Sequence, residues 1–381
     1  MLSLHTNTAS LSAQSSLRRT EGRMAIVMTR LGTGFRVNSA TDDAAGLQIA
    51  TRLLAQSHGM AAAMGNIQKS LSMLQTAEGA LSESGNILIR MKDLAIQAAD
   101  GSATDVDRGA LQAEFTALSH ELSHVSSGTT FGGARLLLGD TTNEKANVVA
   151  ANAAAAAANG AAAAALATAQ ANHGAALAAD QAGSTPATRA ALGAAAGAVT
   201  NATANAAVAS TAAQDAQQYA TAVAAVTAID GVFSKAVNFQ IGASAGEVMN
   251  VQLTAQLDGM HTALHAAAST YDTFGIDRPG SGTDLVIASA ASATIGKLQS
   301  AIDAVAGVRA GVGAIANRLN HTDNNLANMR ANTTVARGRI MDTDFAQESA
   351  NMISNQMLMQ AGGSVLRQSN SISSMVMSLL A

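Results

Sequence analysis

The chain has 381 residues, room for two or three ordinary domains; 48% of it is apolar but only 2% aromatic, with no Trp and two Pro, a balance that favours closely packed helices over a bulky globular core. A formal net charge of −4 gives no electrostatic reason to expect nucleic acid or an anionic membrane as partner. The absence of Cys excludes a disulfide framework and any thiolate metal site.

From the N-terminus, Leu4 and Leu11, then Leu17, Met24 and Leu31, repeat at seven-residue intervals and predict an amphipathic helix. No apolar h-region with a small-residue cleavage site precedes them, so export, if it occurs, is expected to read something other than a cleavable signal peptide. Ser39-Ala-Thr-Asp42 is read as the cap of a second helix, over Ala44–Ala99, in which Leu53, Met60, Ile67, Leu74, Leu81, Leu88 and Ala95 keep a strict heptad. At 1.5 Å per residue that helix is about 80 Å long, beyond the ~30 Å of a small domain, and predicts a rod. After Asp100-Gly101-Ser102, the stripe Leu111, Phe115, Leu118, Leu122 and Val125 predicts an antiparallel return helix ending at 126–128.

Residues 147–228 are Ala-rich and of low complexity, interrupted at "GSTPATR", where Ser184 or Thr185 is placed to cap and Pro186 to start a new helix; a thin helical hairpin is expected. Asn, Gln, His, Asp and Thr interrupt this stretch, so no membrane insertion is expected. Val237, Phe239 and Ile241, then Met249, Val251 and Leu253, alternate about a Gly242–Gly246 loop as in a β-hairpin. After the loop "DRPGSGTD", Leu298, Val305, Val312, Leu319 and Leu326 resume the heptad. Phe345, Met352, Met359 and Leu366 carry it to the C-terminus, so the two ends are expected to lie along one another.

The fold class is therefore mainly α, a long coiled-coil rod with a small β-hairpin and an Ala-rich helical insertion. The expected division is 1–43 with 335–381 as a terminal coiled coil, 44–142 with 231–256 and 290–334 as the rod, and 143–230 with 257–289 as an outer region.

Of the chemistry-bearing motifs, "HELSH" satisfies H-E-x-x-H: His120 and His124 are four apart on a helix, Glu121 is placed as a base, and Glu144 follows as a third ligand for zinc. Against that reading, Leu122 belongs to the buried stripe and turns both histidines outward, as ordinary polar-face residues. Asp42-Asp43 is read as serving a helix start rather than acid–base catalysis. The methionines of the C-terminal tail are read as adaptable packing, and Arg18, Arg19, Arg23, Arg30 and Arg36 as a solvated or salt-bridging face. No phosphate loop or nucleophile constellation stands out. No catalytic residue and no cofactor is expected.

"RLGTGFRVNSATDDAAGLQIATRL" at 30–53, "QTAEGALSE", "MKDLAIQAAD", "FQIGASAGE" and the stretch from "ANRLNHTDNNLANMRANTTVARGRIMDTDFAQESANMISNQ" to the C-terminus resemble bacterial flagellin, in the right order. Ala44, where hook-junction relatives usually carry proline, favours the filament subunit. The resemblance implies terminal helices forming an inner tube and rod helices with a hairpin forming an outer one. It also implies secretion through the flagellar type III system into an extracellular flagellum, with an export chaperone, a filament cap and hook-junction proteins as partners beside the chain itself. The face bearing "IRMKDLAIQ" and "QAEF" resembles the one read by a host Toll-like receptor, with Arg90, Leu94 and Glu114 as the matching contacts. The assembly interface is assigned to Leu4, Leu11, Leu17, Met24, Leu31, Phe345, Met352, Met359 and Leu366. The rival readings are a secreted zinc metallopeptidase on a flagellin scaffold and a surface adhesin.

Overall fold

The computed structural model describes residues 7–225, 230–276, 278, 280 and 282–380, and the side chains of all of these except 141–144, 147 and 372–380. In chain order the elements are α1 (Thr8–Thr33), α2 (Ala44–Ala99), α3 (Asp105–Gly128), β1 (Thr130–Phe131), β2 (Ala134–Arg135), α4 (Thr141–Ala182), α5 (Pro186–Ala225), β3 (Val237–Gln240), β4 (Val248–Val251), α6 (Thr254–Ala267), α7 (Ala288–Met341) and α8 (Phe345–Leu380). The fold is mainly α, as expected, with two small antiparallel strand pairs among the described residues. Backbone contacts divide the chain into one unit of 1–65, 242–247 and 322–381 and another of 66–241 and 248–321, with α2 and α7 contributing to each.

In the larger unit the heptad residues Ile67, Leu74, Leu81, Leu88 and Ala95 of α2 and Leu298, Val305, Val312 and Leu319 of α7 are all buried, along with Phe115 and Leu122 of α3. Arg108 closes the α2–α3 turn by donating from Nε to the carbonyl of Ala98 at 2.9 Å and from Nη2 to that of Asp100 at 3.2 Å, satisfying carbonyls that the end of α2 leaves open. A capping box starts α3: Thr104 Oγ1 accepts from the Asp107 N–H, and the Asp107 carboxylate accepts from the Thr104 N–H. The expected hairpin forms, with Val237 opposite Val251 and Phe239 opposite Met249, which puts Phe239, Met249 and Val251 on the covered face.

Pro186 begins α5, as its fixed φ and missing N–H favour, and α4 and α5 form the expected hairpin. Along α4 the half-buried positions Asn152, Ala155, Asn159, Ala162 and Leu166 alternate spacings of three and four residues on to Asp180; Leu192, Ala195, Val199 and Ala202 do the same on α5. That is a two-helix coiled coil whose seam is largely methyl groups. Val148–Ala182 is long and apolar enough, by length and composition alone, to cross a membrane. Its apolar character is mostly alanine, and its polar side chains Asn152, Asn159, His173 and Asp180 occupy the seam toward α5.

Two features were not anticipated. α6 is a buried amphipathic helix, with Leu257, Met260, His261 and Leu264 covered. Residues 268–276 and 282–287 lie on a polar face of α3: Gln112 Oε1 accepts from the Leu285 N–H at 2.6 Å and Ser123 Oγ from the Asp272 N–H at 2.8 Å. The start of α2 is a correction. Asp43, not Ser39, caps it, its carboxylate accepting from the Gly46 N–H at 2.8 Å. Asp42 turns back instead to the N–H groups of Asn38 and Ser39, which hold its carboxyl below the usual carboxylate range, and Ser39 Oγ lies 3.2 Å from the same carboxylate.

Candidate functional site

In the smaller unit α1 and α8 run antiparallel. Asn7 Nδ2 donates to the Ser369 carbonyl at 3.1 Å near one end of the pair, and Arg30 Nη1 reaches Glu348 Oε1 at 2.9 Å near the other. Between these clasps the covered positions recur with coiled-coil spacing: Ser10, Leu17, Met24 and Leu31 on α1, Met352, Asn355, Met359 and Leu366 on α8. Leu17 packs toward Gly362, where even a β-carbon would meet its Cδ1 only at an ordinary contact distance of 3.5 Å. The Arg30–Glu348 pair is nearly covered on the carboxylate side, 8% exposed against 28% for the arginine, so it fixes register where apolar seams slide.

The link after α1 pairs with the link after α7. Gly34, at φ +76, ends α1 in a left-handed cap with its N–H on the Arg30 carbonyl at 2.8 Å, a conformation that favours glycine. Its carbonyl accepts from the Thr343 N–H at 3.0 Å, and the Arg36 N–H donates to the Met341 carbonyl at 2.6 Å. Val37, Ala50 and Met341 form a small core beneath these bonds.

Of the residues assigned to assembly from sequence, Leu17, Met24, Leu31, Met352, Met359 and Leu366 are brought together within the chain. Leu11 and Phe345, 56% and 57% exposed, are not, and Leu4 lies outside the described residues. Sequence reasoning missed a second apolar set: Ile26 and Met28 on α1, Ile353, Met357, Leu358 and Val365 on α8 are exposed, turned away from the seam. Two such faces on one helix read as an all-round apolar pattern, and the strict heptad drew attention to one.

On the larger unit, Arg90 grips Glu114 Oε1 through Nε and Nη2 at 2.8 and 2.6 Å, in water, which limits the pair to about 1 kcal/mol. Leu94 is corrected: at 1% exposure it belongs to the core, and the apolar residues that α2 exposes beside Arg90 are Ile89 and Ile96. On α3, Leu122 is buried and Glu121 and His124 are exposed, His120 less so; the side chain of Glu144, the third residue assigned to zinc, lies outside the described residues. Among the described residues no group of three or more His, Asp or Glu is placed to hold a metal ion.

Residues 4–142 match the family model of the bacterial flagellin N-terminal helical region and residues 295–380 that of the C-terminal helical region. The chain belongs to the bacterial flagellins. Flagellin A of Vibrio anguillarum is 33% identical over 387 residues, covering 100% of this chain and 99% of its own. Flagellin D of Vibrio cholerae serotype O1 is 32% identical over 387 residues with the same coverage. Bacillus cereus flagellin, of known crystal structure, superposes on 69% of this chain and 88% of its own at 20% identity and a TM-score of 0.37, too loose a likeness to add to the sequence match. As a flagellin the chain is a structural subunit, not an enzyme; it polymerises into the extracellular flagellar filament used for motility. The matched regions hold both helices of the α1–α8 pair, and "HELSH" falls within the N-terminal one, on a structural helix.

Proposed function

We propose that the α1–α8 pair is the assembly element of this flagellin. Its inner seam of Leu17, Met24, Leu31, Met352, Met359 and Leu366 forms within the subunit, and its outer residues Ile26, Met28, Ile353, Met357, Leu358 and Val365 meet neighbouring subunits. The observation that carries this reading is the second, exposed apolar set on helices whose first set is already covered. Burial of large apolar side chains is worth about 1.5–3 kcal/mol each, so several together favour association. Leu11 and Phe345 extend the outer set. A contact between different patches on successive copies does not close on itself and propagates as a helix.

The same reading takes the chain out of the cell through the flagellar type III route, its C-terminal tail held first by an export chaperone and later assembled under a filament cap on hook-junction proteins. A chain without Cys suits that passage, since no disulfide obstructs threading. Arg90 and Glu114, with Ile89 and Ile96 in place of Leu94, are the surface offered to a host Toll-like receptor.

Deletion of 364–381 removes Leu366, the Asn7–Ser369 clasp and Val365 together. A folded, helical monomer that forms no filaments in high salt is expected. Normal filaments from the truncated chain, seen by negative-stain microscopy, would exclude the C-terminal part of α8 from assembly.

A further inference from the structure

The chain has only two tyrosines, and both are buried in one polar knot of the larger unit. Tyr219, on α5, donates its hydroxyl to one carboxylate oxygen of Asp272, while the Ile276 N–H donates to the other. The Asp272 N–H is in turn held by Ser123 of α3 at 2.8 Å. Next to it, Tyr271 and His261 Nδ1 are 2.9 Å apart, and His261 Nε2 lies 2.8 Å from the carbonyl of Leu137. A carbonyl only accepts, so Nε2 carries a proton and donates it to Leu137. Val148, Val223 and Phe274 close an apolar ring about Tyr219, and the Arg278 guanidinium lies 4.3 Å from the centre of the Tyr219 ring.

The footing of the α4–α5 hairpin on the 268–276 segment thus includes a hydroxyl–carboxyl contact inside an apolar ring. Asp272, Tyr271 and His261 are each 0% exposed, so no water is at hand to stabilise a charge there. We propose that Tyr219 and Asp272 form a latch that holds the base of the α4–α5 hairpin at acid pH and loosens as the pH rises.

Burial pushes the Asp272 carboxyl above the usual carboxylate range. The Tyr219 hydroxyl, the N–H groups of Ile276 and Phe274 and the positive charge of His265 pull the other way without cancelling it. The ionisable and charged groups around it are Tyr219 and, one turn away, Asp215 on α5; His261 and His265 on α6; His124 on α3, near Gly275; and Arg278 on its own segment. From α4 come Val148 and, one turn before it, Lys145. A carboxyl whose folded pKa is raised contributes its full stability while protonated in both states, below the unfolded value. That contribution is lost as the pH rises through the folded value. One proton is involved, so the opening constant rises by at most about tenfold per pH unit.

The test is hydrogen exchange by mass spectrometry on the intact monomer between about pH 4 and pH 8, corrected for the intrinsic pH dependence of exchange. Peptides covering 215–225 and 269–276 should lose protection as the pH rises, by up to about tenfold per unit, while a peptide within 81–95 of α2 does not. Asp272→Asn keeps the shape but cannot ionise; it should remain docked with a flat profile. A flat wild-type profile, or a slope that survives in Asp272→Asn, overturns the latch. Should that variant not fold, a carboxyl-carbon NMR titration of Asp272 in the unaltered chain decides, and a midpoint in the ordinary carboxylate range also overturns it.

Discussion

At Gly59 the backbone of α2 lies so near Ala243, in the loop between β3 and β4, that a β-carbon on the glycine would sit 2.7 Å from the alanine's Cβ and 3.1 Å from its Cα. Main chain, unlike the end of a flexible side chain, has no rotamer to swing away, so bulk here displaces the loop. Gly59→Val should lower the denaturant midpoint by the equivalent of about 1–3 kcal/mol. Gly65, six residues along the same helix, has open space around it, and Gly65→Ala should gain up to about 1 kcal/mol by propensity alone. If both variants moved the midpoint in the same direction, close contact at Gly59 would not be what sets it apart. At Arg30 the argument is electrostatic. Arg30→Met leaves the Glu348 carboxylate covered and facing only Asn351, 3.3 Å away, at a cost of about 1–3 kcal/mol to the smaller unit. Double variants with Glu348→Gln should recover much of the loss, and a denaturation series on the four proteins measures the coupling.

Among the elements, α3 shows how two kinds of burial differ in legibility. Its apolar stripe through Phe115 and Leu122 could be read from spacing, because a core of aliphatic and aromatic side chains repeats with the helix. Its other covered face is Gln112, Ser119, Ser123 and Ser127, residues that in sequence look solvated; the N–H groups of Leu285 and Asp272 come to Gln112 and Ser123, and Ser127 donates to the Ser123 carbonyl of its own helix. Neither the stretch 268–287 nor α6 carries a long apolar period, and so both escaped a reading built on heptads. The seam of α1 and α8 was legible for the same reason as the rod, whereas the outward set at Ile353 and Met357 was not, since exposure depends on which stripe the partner helix takes. The start of α3 gives a pH effect of opposite sign to Asp272. The side chain of Thr104, then its backbone N–H, holds the Asp107 carboxyl below its usual range, so the cap contributes above the unfolded carboxylate value and fades as the pH falls through the folded one. Amides of 105–108 should therefore lose protection on acidification while those of 215–225 gain it. Opposite slopes in one exchange experiment are a stringent check, and parallel slopes would mean a global effect instead.

For the whole molecule, the question is how much of the chain polymerisation needs. The family-matched regions, 4–142 and 295–380, contain α1, α2, α3 and α8 and most of α7, and exclude nearly all of the α4–α5 hairpin. At its base the hairpin is tied down by Val148, Tyr219 and Val223 against Phe274, and its two helices are joined there by Asn152 donating to Gln217 at 2.9 Å. Further out, from 207 to 216, α5 still faces Ser269, Thr270, Arg278 and Thr283 across a cavity of about 500 Å³. Farther still, the two helices have their own methyl-lined seam, and such a coiled coil can be shortened in step on both strands without disturbing its foot. Antiparallel helices are joined by loops of about 2–5 residues, so 163–206 can be replaced by a Gly-containing turn of that length. The shortened chain should fold with its remaining helices intact, keep the pH-dependent protection at 215–225, and assemble into filaments that negative-stain microscopy shows to be thinner than those of the full chain. Loss of assembly in a chain that circular dichroism shows to be folded would place the hairpin among the polymer contacts, and the α1–α8 pair would no longer suffice as the assembly element.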